Sequence, residues 1–256
     1  MTLDADTGGE RMIKSADRVR GLAEVFTPAA TVQAMLNLLP SKTWAVQPSL
    51  TFLEPACGDG NFLVAILDRK LDRIDSARRR GRLPAGSGEA AVAFHTLQAL
   101  ASIYAIDISE DNVVGGTPGH EVGARERLLR LFESSVGQML GRGLDRTEPL
   151  MMAADWIVTA NVLVGNMLPA DVEGAGDRDS LPLIEYKWDA ENGEVAALTT
   201  TLGAVLAEKA DETSGTMLLF GPAEPTLLWQ GPPTSLFEAK PAEQKKARAR
   251  AERGGR

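Results

Sequence analysis

The sequence predicts an α/β fold built on a doubly wound, mostly parallel sheet. Three observations carry that prediction. Short apolar runs alternate with segments of helical period. The first such run passes through a glycine-rich turn straight into a helix. Four polar candidates, Glu54, Asp107, Asn166 and Glu185, each fall at the end of a predicted strand, the edge where open α/β sheets bind ligands.

The elements follow in order. Residues 1–9 read as disordered, and 10–22 as a short helix exposing Arg11, Lys14, Arg18 and Arg20. Thr27 is placed to cap a helix whose first position is Pro28. That helix spans 29–39, with Val32, Met35, Leu36 and Leu39 at helical spacing. A buried strand over 50–53 enters the turn at 54–61, and helix resumes at Phe62. The basic run 78–82 reads as a helix end leading to a surface loop at 83–88. A helix over 89–101 precedes a strand over 102–106, which ends at Asp107 and Ile108. After a glycine-rich break at 115–119, an amphipathic helix covers 121–140, with Leu128, Leu131, Phe132 and Val136 on one face. A further helix ends near Ala160 and a third strand covers 162–164. An acidic loop at 171–180 leads to a fourth strand over 181–186. Beyond Trp188 the pattern weakens: 194–209 mixes strand and helix signals, and 221–231 reads as irregular. This divides the chain into an arm (1–22), a ligand-binding domain (23–210) and an irregular C-terminal segment with a basic tail (211–256).

The chain has 256 residues and is 44% hydrophobic, enough for one packed core. No apolar run approaches the roughly 18 residues that read as a membrane span, and the acidic start is unlike a signal peptide. The expectation is a cytoplasmic protein with no membrane association. One cysteine and two histidines argue against a disulfide or a protein-built metal centre. Residues 240–256 hold seven Lys/Arg and two Asp/Glu, so the rest of the chain carries −13 of a net −8. Such an acidic body does not attract a phosphate backbone. The tail is either a solvated helix or a contact for nucleic acid or a partner.

The turn carries the chemistry. Gly58 and Gly60 permit positive φ and a close approach of backbone to ligand. The helix beginning near Asn61 aims free N–H groups at the crevice. A dinucleotide fingerprint needs a third glycine, and Leu63 stands in its place. Glu54 and Asp59 set two carboxylates beside the turn, which repel phosphate and favour a cationic nucleoside. Asp107, at the end of the second strand, is placed to take two ribose hydroxyls or to cap a helix with Ser109, and Ile108 to lie on an adenine face.

Glu24-Val25-Phe26-Thr27-Pro28, Leu53-Glu54-Pro55-Ala56-Cys57-Gly58-Asp59-Gly60-Asn61-Phe62 and Tyr104-Ala105-Ile106-Asp107-Ile108 resemble successive motifs of adenine-N6 DNA methyltransferases of the type I modification-subunit kind. The resemblance covers roughly residues 20–190 and implies a Rossmann-like class I methyltransferase fold with S-adenosylmethionine as cofactor. It implies that Phe26, Thr27 and Pro28 lie over the methionine end. Glu54, Ala56, Cys57, Gly58, Asp59, Gly60, Asn61 and Phe62 would hold that end's charged groups, Asp107 the ribose, and Ile108 and Asn166 the adenine. It also implies DNA as substrate, reached through the basic tail or a partner subunit of a restriction-modification system.

One motif departs. The Asn-Pro-Pro-aromatic sequence that such enzymes carry after the fourth strand, to receive a flipped base, is absent, and Ile184-Glu185-Tyr186-Lys187-Trp188 stands there. Glu185 as acceptor, with Tyr186 or Trp188 stacking, are the replacement candidates. The competing reading makes Tyr186 and Trp188 core and rim residues. Three functions therefore stand at this level: a DNA adenine methyltransferase, a catalytically inactive cofactor-binding module that docks to a modification or restriction complex, or a methyltransferase of RNA, protein or a small molecule on a shared fold.

Overall fold

The computed structural model describes residues 27–47, 49–84, 86–117, 121–168, 172, 176–207 and 225–239. The expected helix over 10–22, Phe26 and the basic tail lie outside these.

The fold is α/β around a small parallel sheet. The order of elements begins α1 (Ala29–Leu36), β1 (Phe52–Glu54), α2 (Asn61–Arg79), α3 (Glu89–Ala101) and β2 (Ile103–Asp107). Then come α4 (Glu110–Val113), α5 (Ala124–Leu140), α6 (Pro149–Asn161) and β3 (Val162–Val164). Strands β1, β2 and β3 pair in that order, all parallel. Helix α3 is buried on nearly every side, including Phe94, Leu97 and Leu100, as an all-round apolar helix must be. Ile103, Ala105 and Val162 share one core with residues of α2, α3, α5 and α6. Tyr104, Ile106 and Leu163 face the other way, toward Leu181, Leu183, Leu202 and Val205.

The first helix is shorter than expected. Pro28, not Thr27, is its N-cap, no side chain caps it, and it ends at Leu36. The next three residues form a turn before Pro40, because the residue before a proline is disfavoured in helical conformation.

The fourth strand corrects the sequence reading most. It spans Pro182–Asp189 as β4 and does not join the parallel sheet. It forms a separate antiparallel sheet with β5 (Glu194–Thr201) and β6 (Thr226–Gly231). The turn explains the direction. Asp189 accepts hydrogen bonds from the backbone N–H groups of Glu191 and Asn192 at 3.0 Å and from the Asn192 amide at 2.7 Å. Gly193 then takes φ +68°. A four-residue loop of this kind returns the chain beside itself, whereas a parallel neighbour needs a crossover of a dozen residues or more. Asn192-Gly193 is a hairpin signal that the sequence reading passed over.

Within the region over 194–209, the described residues form β5 followed by helix at 202–207. Residues 226–231, expected to be irregular, pair as β6. A 3-10 helix, Pro233–Glu238, follows with Leu236 fully buried. Trp156 on α6 donates its indole N–H to the Ala239 carbonyl at 2.9 Å, which binds this C-terminal piece to the helical core. No helix among the described residues is long and apolar enough to cross a membrane.

Candidate functional site

The turn at 54–61 leans over the carboxyl end of β2. The Cys57 N–H donates to the Ile106 carbonyl at 3.1 Å, so pairing with β2 continues past the end of β1. Gly60 N–H then donates to the Cys57 carbonyl at 2.9 Å and closes a tight bend. Both loop glycines are left-handed, Gly58 at φ +53° and Gly60 at φ +92°. Gly60 is also the N-cap of α2. A Cβ there would stand 2.9 Å from the Ala124 Cβ and 3.3 Å from its Cα. This glycine therefore serves two ends: the bend, and the close approach of α5.

Asp107 is buried beneath the loop. Its Oδ2 accepts the Gly58 N–H at 2.8 Å. Its Oδ1 accepts the Ser109 N–H at 2.9 Å and the Asn112 side-chain amide at 3.0 Å. One carboxylate thus fastens the glycine turn to the end of β2 and to the start of α4. Ile108, the next residue, is 58% exposed. A branched apolar side chain is thereby held open beside the fastened turn.

The electrostatics differ from the expectation of two bare carboxylates. Glu54 is partly buried, and burial raises its carboxyl above the usual range, against a weak 3.4 Å bond from the Ala56 N–H. Asp59 is paired: Arg127 of α5 lies 3.0 Å from its Oδ1. The same guanidinium donates to the Asp59 carbonyl at 2.8 Å and to the Asn61 Oδ1 at 2.8 Å. The Asn61 amide in turn donates to the Thr27 carbonyl at 3.0 Å. Thr27, Asn61, Asp59 and Arg127 therefore form one hydrogen-bonded chain from α1's entry to α5.

Sequence reading missed Arg127. Its only local signal is its position: three residues after Ala124 and one before Leu128, at the margin of the apolar face. Cys57 is buried, and its thiol is pushed well above the usual range by burial and then by Asp107. It is consequently a packing residue and no ready nucleophile. Phe62 packs partly buried against the core. Asn166, just past β3, accepts the Leu168 N–H at 3.0 Å and packs on Gly176, where a Cβ would stand 2.9 Å from its own Cβ.

The structure does not bring the catalytic candidates to this loop. Leu181 lies against Gly165 near the carboxyl ends of the parallel strands. Tyr104 then donates its hydroxyl to the Ile184 carbonyl at 2.6 Å. The Tyr186 hydroxyl donates to Asn161 Oδ1 at 3.0 Å, and the Asn161 amide donates to the Ala101 and Ile103 carbonyls at 3.0 and 3.2 Å. Strand β4 thus runs from the carboxyl end of the parallel sheet to its amino end. Tyr186 sits at the far end from Gly58, with its phenol raised well above the usual range, mainly by burial. Trp188 packs edge-on against Phe94 of α3 at 5.2 Å. Glu185 is mid-strand, not at a strand end, opposite Leu198 and 3.8 Å from an exposed Lys187.

No protein-family model matches the chain, and no curated protein or solved structure matches it.

Proposed function

We propose that this chain is an S-adenosylmethionine-binding domain of the adenine-N6 DNA methyltransferase type. The observation that carries the reading is the turn itself. At a strand-to-helix switch, left-handed Gly58 leaves bare backbone partly open and left-handed Gly60 closes the bend beneath α5; the turn is fastened from below by Asp107 and flanked by Asp59, Arg127 and an open Ile108. The parallel order β1-β2-β3 is compatible with one wing of a doubly wound sheet, the finer fold that this reading proposes.

The residues present fit such a cofactor. Ile108 offers an apolar face for a flat adenine. The Asp59 carboxylate beside the turn suits the ammonium group of an amino-acid end. Asp107 Oδ1 already accepts from Ser109 and Asn112, while Oδ2 accepts only from Gly58 and keeps one lone pair for a ribose hydroxyl. The cofactor supplies an electrophilic methyl group on sulfur. The protein's part is orientation of that end of the ligand. DNA is the proposed methyl acceptor, approached with the basic tail or a partner subunit of a restriction-modification system, in the cytoplasm.

A second reading has a specific observation in its favour. Tyr186 and Trp188 are partly buried against the core, away from the glycine turn, with Tyr186 at the amino end of the sheet. No described residue of β4 therefore offers an aromatic platform beside the loop. This favours a cofactor-binding module without methyl transfer, docked to a modification or restriction complex. Calorimetry with S-adenosylmethionine and S-adenosylhomocysteine tests the shared part: binding of either supports it, and absence of heat with both removes it. Transfer of tritiated methyl to unmethylated DNA separates the readings. Label in DNA that is lost in Asp107→Ala supports the enzyme, and tight binding without transfer supports the module.

A further inference from the structure

Arg127 is the residue beside the loop that the foregoing reading leaves without a ligand role. Its side chain is 30% exposed and that of Asp59 27%, so the pair is neither sealed in the core nor free in water. Three contacts immobilise the guanidinium: the Asp59 carbonyl, the Asp59 carboxylate and Asn61 Oδ1. An arginine that merely solvated a helix would gain little from ordering its long side chain in this way. Held so, a positive and a negative group stand about 3 Å apart at the lip of a bare-backbone turn.

That arrangement discriminates among ligands by charge pattern. A phosphate approaching the guanidinium meets the Asp59 carboxylate beside it. A neutral nucleoside forms no ion pair with either group. An α-amino acid carries an ammonium and a carboxylate at matching separation, and laid against the pair head to tail it makes two favourable contacts at once. We infer that Arg127 and Asp59 act together as the specificity-determining pair for the zwitterionic amino-acid end of the ligand, with Arg127 taking the carboxylate. This rests on the cofactor reading above and adds to it a residue on α5, outside the loop.

The test compares two ligands that share a thioether nucleoside: S-adenosylhomocysteine, which carries the amino acid, and 5′-methylthioadenosine, which lacks it. Isothermal calorimetry on the full chain is expected to show the first binding at least about tenfold tighter, the equivalent of ~1.4 kcal/mol. Arg127→Met should bring that ratio close to one while leaving the affinity for 5′-methylthioadenosine unchanged. Arg127→Lys should recover part of the ratio. Should Arg127→Met fail to fold, Asp59→Asn keeps the bonds from Arg127 to the Asp59 carbonyl and to Asn61, and it carries the same expectation. Equal affinities in the unaltered protein overturn the inference while leaving nucleoside binding intact. So does a variant that weakens both ligands alike, since that marks a purely structural arginine. If neither ligand binds the unaltered protein, the cofactor reading falls and this inference with it.

Discussion

The two ends of the parallel sheet each carry a network of hydrogen-bonded polar side chains and use it differently. At the carboxyl end, Asp107 and Arg127 hold loop backbone in place and leave side chains open around it. At the amino end, Asn161, Tyr186 and Lys70 are satisfied inward. Asn161 joins β2 to β4 through Tyr186. Lys70 is 4% exposed and donates to Ser49 Oγ at 3.0 Å and the Leu50 carbonyl at 2.8 Å, with the Phe52 ring 5.2 Å away. On the proposed function, one end is arranged to meet a ligand and the other to close the structure. Buried polar groups alone would not distinguish them. What distinguishes them is whether bare backbone and an exposed apolar side chain lie next to the network.

The largest effect that sharpens this comparison is expected at Gly60. Gly60→Val forces a branched residue into φ +92° and against Ala124. Strain and overpacking together should cost about 3–5 kcal/mol. Urea denaturation measures the loss, and a shift under 1 kcal/mol would show that the loop relaxes freely. Asp107→Ala comes next. It strands the Gly58 and Ser109 N–H groups and the Asn112 amide, at a cost of roughly 2–4 kcal/mol. Ligand heat should vanish together with that stability. Retained binding in a folded Asp107→Ala protein would break the link between the carboxyl-end network and the site.

Lys70 tests the amino end through pH. Burial lowers its ammonium to about 8 from 10.5. Between those values the unfolded chain holds the proton and the folded chain does not, so stability rises with pH across that window. The rise is at most ~1.4 kcal/mol per pH unit. The difference in unfolding free energy between the unaltered protein and Lys70→Met, followed from pH 7 to 10, isolates this contribution. It should grow in favour of lysine as pH rises, and a flat difference would mean that Lys70 is better solvated than its position indicates. The smallest effect is at Tyr186. Tyr186→Phe removes one hydrogen bond to Asn161 and should cost about 1 kcal/mol with ligand affinity and any methyl transfer unchanged. If transfer to DNA disappears while the fold persists, the two ends are not separate in function and β4 returns as a catalytic strand.

Much of the site was legible in the residues themselves. Gly58 and Gly60 announce a bend that tolerates positive φ, and Asp107 announces a polar strand end, because both signals are local. The strands at 103–107 and 162–164 and the helices at 89–101 and 124–140 lie within a few residues of their expected places, since apolar period decides them. The role of Asp107 as a fastener beneath Gly58 was not legible, because its partner lies 49 residues away.

By itself, then, the amino-acid sequence determined the glycine turn, the strand-to-helix switch and the periods of the parallel unit, all of which depend on neighbours within one or two turns of chain. Tertiary structure alone decided which way β4 runs, that Arg127 crosses 68 residues to clasp Asp59, and that Tyr186 faces the closed end and not the open one. The physical reason is that a strand's direction and a side chain's partner are set by packing and hydrogen-bond satisfaction between distant segments. Composition and spacing carry no direct record of those contacts.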